Sequence, residues 1–112
     1  METNDLGKTS IGLPPKVAAL LCYLIGFVSG IIFFIIEKEN KFVRFHALQS
    51  TIVFGTIFVI GYITMFIPFL QPILGPILPL VYIILWILLM IKAYQGESFK
   101  IPIAGDIAEK NS

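Results

Sequence analysis

Residues 47–91 form a run of 45 without a single Asp, Glu, Lys, Arg or His. As one helix this run would be about 68 Å long, roughly twice the hydrocarbon thickness of a bilayer. It therefore has to turn back on itself. Four of the chain's seven prolines, Pro68, Pro72, Pro76 and Pro79, lie within it, with Gln71 and Gly75 among them. Proline removes a backbone donor and clashes with the preceding turn, so helices end before it or begin at it. The spacing predicts apolar spans over 51–67 and 76–91, joined by a Pro-rich hairpin over 68–75, with Pro79 kinking the later span. The hairpin carries no charge, which places it in the interfacial zone or against a partner.

A third apolar run, 17–36, has 20 residues without a charge and reaches about 30 Å as a helix. No small-x-small cleavage site closes it before Glu37, so it reads as a retained span rather than a signal peptide. Nor does Met1-Glu2 offer a lipidation signal. With 57% hydrophobic and only 13% charged residues, a 112-residue soluble domain would have no interior large enough for this much apolar surface. The expected fold class is an all-α integral membrane protein with three transmembrane helices. It forms one membrane domain: a polar tail over 1–16, span 17–36, a basic amphipathic lead-in over 37–50, span 51–67, hairpin 68–75, span 76–91, and a tail over 92–112.

Three spans put the amino-terminal tail and the hairpin on one side, with two basic residues, Lys8 and Lys16. The other side holds six: Lys38, Lys41, Arg44, Lys92, Lys100 and Lys110. The positive-inside bias then predicts a multi-pass protein of the cytoplasmic membrane with its amino terminus outside and its carboxyl terminus in the cytoplasm. Net charge is +1, and nothing in it points to nucleic acid.

If 40–50 is helical, Lys41, Arg44 and Leu48 share one stripe, and Phe42, Phe45 and Gln49 another. One reading is an interfacial anchor, with Phe rings at the acyl boundary and Lys38, Lys41 and Arg44 at headgroup phosphates. The other makes Arg44, His46 and Gln49 a polar patch facing a partner or the bundle interior. Gly26 and Gly30, four apart, would allow a second helix to approach closely, within the chain or between copies. His46 is the only histidine and Cys22 the only cysteine, too few for a metal site with three or four ligands. No ionisable residue lies inside a span, and no nucleophile elbow or phosphate loop occurs. Hence no catalytic residue, cofactor, metal or small-molecule substrate is expected. In the tail, Gly96 suits a helix C-cap, and Phe99, Ile101 and Ile103 alternate with Lys100 and Pro102. That period of two predicts an extended segment, lying on the membrane surface or folded onto the basic loop.

The strings Leu21-Cys22-Tyr23-Leu24, Phe42-Val43-Arg44-Phe45-His46-Ala47-Leu48-Gln49-Ser50 and Ile101-Pro102-Ile103-Ala104-Gly105-Asp106 carry a resemblance. The chain resembles a prokaryotic family of small uncharacterised membrane proteins whose profile is related to the small Tic import component of the chloroplast inner envelope. The match to that pattern includes Arg44, Phe45, His46, Gln49, Pro102, Gly105 and Asp106, of unknown role. The resemblance implies an association with protein translocation. From the residues themselves, the leading expectation is a non-enzymatic membrane protein that associates with itself or with another membrane complex. A subunit of an oligomeric channel and an anionic-lipid-binding organiser are its rivals. The expected partners are membrane lipids and further membrane-protein chains.

Overall fold

A computed structural model describes residues 7–112; the first six residues of the polar tail, with the Met1-Glu2 reading, lie outside the described residues. It is all-helical. The described residues contain α1 (Pro15–Leu21), α2 (Phe27–Ile36), α3 (Lys41–Thr64), α4 (Gln71–Tyr94) and α5 (Ala104–Asn111). The molecule is a rod of 50 × 22 × 21 Å. Both α3 and α4 have 24 residues, about 36 Å each, and are apolar enough to cross a membrane by length and composition.

The expected first span does not exist as one helix. It breaks at 22–26 into α1 and α2, of 7 and 10 residues, about 11 and 15 Å and too short to cross. The cause is local. Gly26 sits at φ 61°, ψ −135°, a region closed to residues with a side chain. The turn's polar backbone then finds side-chain partners. Ser29 Oγ accepts from the Ile25 N–H at 3.0 Å and lies 2.9 Å from the Cys22 carbonyl. Ser50 Oγ donates to the Gly26 carbonyl at 2.9 Å, and Trp86 Nε1 donates to the Tyr23 carbonyl. Such partners are what an unwound turn away from water requires.

The consequence is a re-entrant hairpin. α1 runs inward beside the end of α4, the chain reverses at 22–26, and α2 runs back out along α3 to Glu37. Ser10 therefore meets Glu37, with its N–H 2.8 Å from Oε1. The amino-terminal segment and the 37–40 loop share one end, not opposite sides as three crossings would require. The expectation of an outside amino terminus loses its basis.

The basic lead-in also differs from a separate interfacial piece. α3 is continuous from Lys41, capped by Asn40, whose side chain accepts from the Val43 N–H. The carboxyl end of the pair comes earlier than the prolines alone suggested: the turn spans 65–70, and α4 starts at Gln71 with Pro72 in its first turn. Pro76 and Pro79 lie inside α4. At the turn, Thr64 Oγ1 reaches Gln71 Oε1 at 3.1 Å.

Burial is concentrated at the polar end. Ala18, Ala19, Cys22, Tyr23, Val43, Ala47, Phe54, Leu89 and Ala93 are closed off where α1, α2, α3 and α4 meet. Four alanines in this set let helix backbones approach closely, which is how membrane helices pack. Beyond that cluster the two long helices carry their apolar side chains outward. Phe58, Val59 and Ile63 on α3, and Ile73, Ile77, Leu80, Ile83, Ile84 and Ile87 on α4, are exposed. Only 6% of the most apolar window of α4 is buried.

Candidate functional site

The polar residues of the 40–50 string turn inward and build one buried network at the charged end of the rod. His46 and Gln49, one turn apart on α3, are both without solvent exposure. His46 Nε2 is 2.9 Å from the Glu97 carbonyl, which can only accept. That nitrogen therefore carries the proton, leaving Nδ1 to accept from the Tyr23 phenol at 2.6 Å. The Gln49 amide donates to Tyr23 Oη at 3.1 Å and to the Phe99 carbonyl at 2.8 Å, and its Oε1 accepts from the Ile101 N–H at 2.8 Å. Every donor and acceptor of the Gln49 amide nitrogen and oxygen thus has a defined direction, and the amide orientation is fixed by its partners.

Three of those partners, Glu97 O, Phe99 O and Ile101 N, are backbone groups at alternate residues of the tail. An extended segment presents alternate groups to one side, so two side chains one helical turn apart can hold it. The tail then turns at Ile103, whose φ of 70° and ψ of −59° close a γ-turn with the Ala104 N–H 2.8 Å from the Pro102 carbonyl. α5 returns along α3 with Ala104, Gly105 and Ala108 buried. A Cβ at Gly105 would lie 2.7 Å from Lys100 Cα and 2.9 Å from Gln49 Oε1, so only glycine fits beneath the latch.

A second latch holds the amino-terminal segment. Glu37, fully buried, accepts from the Ser10 N–H and hydroxyl and from the Glu39 and Asn40 N–H groups, at 2.8–3.0 Å. Asn40 Nδ2 donates to the Lys8 carbonyl at 3.1 Å. Burial alone would raise the Glu37 carboxyl, but these donors outweigh it and hold the carboxyl below its ordinary value. A depressed carboxyl contributes stability above its unfolded value, about 4.3, and loses it as pH falls through the lower folded one. The Ser10 amide should therefore keep its NMR shift from neutrality down to about pH 4.3 and move only below that. Glu37→Gln, which sets an NH2 group against backbone donors, should move the shift at neutral pH by undocking the segment, at a cost of about 1–3 kcal/mol. An unmoved Ser10 amide in that variant would show that Glu37 does not hold the segment.

Arg44 ties the ends together. Its Nη1 donates to the Phe34 and Glu37 carbonyls at 3.1 and 2.8 Å, capping α2, and Nε donates to Ser112 O at 3.2 Å. The guanidinium carbon lies 4.0 Å from the Phe34 ring centroid. Lys38 and Lys41 are exposed. Phe45 is buried edge-on to His46, with centroids 5.1 Å apart. Pro102 and Asp106 are exposed, and Asp106 lies 3.9 Å from Lys100 Nζ. Gly26 forms the re-entrant turn, and Gly30 packs against α3 of the same chain. No group of three or more His, Cys, Asp and Glu converges among the described residues.

Sequence reasoning did not find Tyr23, Glu37, Ser10 or Ser50. One signal was available for Glu37: it lies three residues before Asn40, where a carboxylate meets the open N–H groups of a helix start.

Residues 12–108 match the model of the magnetosome magnetite crystal formation protein family. The chain belongs to this family. The chain is also similar to the UPF0132 membrane protein MJ1443 of Methanocaldococcus jannaschii, 51% identical over 107 residues, 96% of each chain. The UPF0132 membrane protein MJ1527 of the same organism is 44% identical over 101 residues, 90% of this chain and 72% of that one. A UPF0132 membrane protein of Archaeoglobus fulgidus is 48% identical over 95 residues, 85% of this chain and 92% of that one. No solved structure matches. The comparisons bear out a family of uncharacterised membrane proteins; the relation to the chloroplast Tic component has no support in them. The family match covers Tyr23, His46, Gln49 and the tail they hold, and Glu37 and Asn40 of the other latch, but not Ser10 or Lys8.

Proposed function

We propose that this is a non-enzymatic protein of the cytoplasmic membrane that crosses twice and works by assembling with copies of itself or with another membrane complex. The observation that carries the reading is the exposure of α4: a helix apolar all round, with 6% of its most apolar window buried, needs lipid or other helices around it. The buried histidine, tyrosine and glutamine are spent on holding the chain's own tail, which leaves them no role toward a substrate. The family's description names magnetite crystal formation, and for this chain the support goes to assembly.

The same reading sets both ends of the chain in the cytoplasm. All eight Lys and Arg residues lie outside 47–91, at the end of the rod that holds the loop and both latched segments, and the 65–70 turn has none. Cysteines placed at Lys8, Lys110 and Pro72 test it in sealed, oriented membrane vesicles. The first two should react with an impermeant maleimide from the cytoplasmic side and the third from the other. Labelling of Lys8→Cys and Lys110→Cys from opposite sides would overturn the two-crossing arrangement. Native mass spectrometry of protein gently extracted from its own membrane should find a homo-oligomer of fixed number or a defined mixed complex. A monomer accompanied only by lipid would overturn assembly.

A further inference from the structure

The groove of about 580 Å³ lined by Phe34, Ile35, Lys38, Arg44 and Ser112 combines two cations with an apolar wall. Arg44 is built into it rather than waving over it. Three of the five guanidinium N–H donors are taken by the Phe34, Glu37 and Ser112 oxygens, and the Phe34 ring lies against its face. Nη2 has no partner among the described residues, and no buried side-chain polar atom there lacks one, so Nη2 is open to the outside. Lys38 is exposed, and its ammonium enters no ion pair among the described residues. The one carboxylate beside them in sequence that is buried, Glu37, is turned away onto the Ser10, Glu39 and Asn40 donors.

The position of the groove selects among anions. On α2, Ile31, Ile32, Ile35 and Ile36 form an exposed apolar face that ends where Glu37 begins. Lys38 follows two residues later. An apolar face that stops at an exposed lysine and at an arginine whose Nη2 is open reproduces the boundary between acyl chains and headgroups, even with Arg44 Nε held by Ser112 O. Arginine with a preset fork also suits a phosphate better than a mobile ammonium alone would.

We propose that this groove binds the phosphate of an anionic phospholipid, with Arg44 Nη2 and Lys38 Nζ on the phosphate oxygens and an acyl chain along Ile35 and Phe34. A free phosphate would share the cations but gain nothing from the apolar wall. This goes beyond the assembly reading and stands apart from it, because native mass spectrometry resolves bound lipid mass and chain number separately.

The test uses the full chain in detergent with equal amounts of phosphatidylglycerol and phosphatidylcholine, and in a second series inorganic phosphate. One phosphatidylglycerol per chain should be retained in preference to phosphatidylcholine. Lys38 makes no side-chain bond among the described residues, so Lys38→Gln should lower that retention about fivefold, as loss of one cation near an anionic surface does. Ile35→Ser should lower phosphatidylglycerol retention while leaving inorganic phosphate binding unchanged. A melting temperature for each variant shows that the fold is intact. Equal retention of the two lipids, or retention indifferent to Lys38→Gln, would overturn the site. Phosphatidylglycerol retention unmoved by Ile35→Ser, with inorganic phosphate lost in Lys38→Gln, would overturn the lipid and leave a free anion as the ligand.

Discussion

Gly30→Leu should detach α2 from α3 and destabilise the protein by about 3 kcal/mol or more, the upper part of what overpacking costs. A Cβ at Gly30 would lie 2.8 Å from the Ala47 carbonyl oxygen, 2.8 Å from Thr51 Oγ1 and 3.0 Å from Ser50 Cβ. The first of these is backbone in the middle of a 24-residue helix and has nowhere to go. Displacing α2 also withdraws the Gly26 carbonyl from Ser50 Oγ, the bond that ties the re-entrant turn to α3. Gly30→Ala should have the same effect in smaller measure, since the clash begins at Cβ. Gly55→Leu is the control, because its nearest neighbour to a new Cβ is Phe27 Cβ at an ordinary 3.9 Å. Hydrogen exchange across 27–36 reads the outcome. Wild-type protection there in Gly30→Leu would mean that the hairpin is not seated as described.

Gln49→Leu should release the tail at a cost of about 2–4 kcal/mol, the sum of three hydrogen bonds at the usual net value with buried groups left unpaired. Leucine has nearly the shape of glutamine, so packing against Tyr23 survives while the bonds to Tyr23, Phe99 and Ile101 all go. The helix itself should stay intact. The signature is therefore local: rapid exchange at the Ile101 amide and fast tryptic cleavage after Lys100, with unchanged protection in the first half of α3. Glu97 would keep His46 Nε2, the Lys92 carbonyl and the Lys92 ammonium, but no α3 side chain would then bond Phe99 or Ile101. A tail that stays protected in Gln49→Leu would shift the anchoring to Gly105 and α5.

The long uncharged run was legible because its constraint is length against bilayer thickness, a matter of counting. The tail was legible for a different reason. Gly96 adopts φ 82° and ends α4, with the Glu97 N–H 3.0 Å from the Lys92 carbonyl, and the period of two beyond it does describe an extended segment folded onto the helix that follows the basic loop. The break in the first apolar run was not legible from hydropathy, since 17–36 is as apolar as a spanning helix. The decisive facts are a left-handed Gly26 and two serines, Ser29 and Ser50, one of which comes from another helix. Such partners appear only once α2 and α3 are side by side. The count of basic residues on two sides lost its division in the same way, because the amino-terminal segment and the 37–40 loop meet at one end. The role of Glu37 was hidden because one of its donors, Ser10, is 27 residues away in the chain, although Glu39 and Asn40 are close by. Within 40–50 the closed-off helical residues are Val43, Phe45, His46, Ala47, Gln49 and Ser50, a face that neither expected stripe contains whole, because the tail covers His46 and Gln49 together.

The re-entrant hairpin also bears on how such a chain reaches its place. Three crossings with the amino terminus outside would mean hauling Lys8 and Lys16 across, at a cost of roughly 2.5–3.5 kcal/mol for each charge at the membrane centre. On the proposed two-crossing arrangement the far side receives only the turn at 65–70, whose residues are Met, Phe, Ile, Pro, Phe and Leu. On that proposal the two long helices enter together as a single apolar loop, tip first, and no Asp, Glu, Lys, Arg or His of 47–91 has to pass, because that run has none.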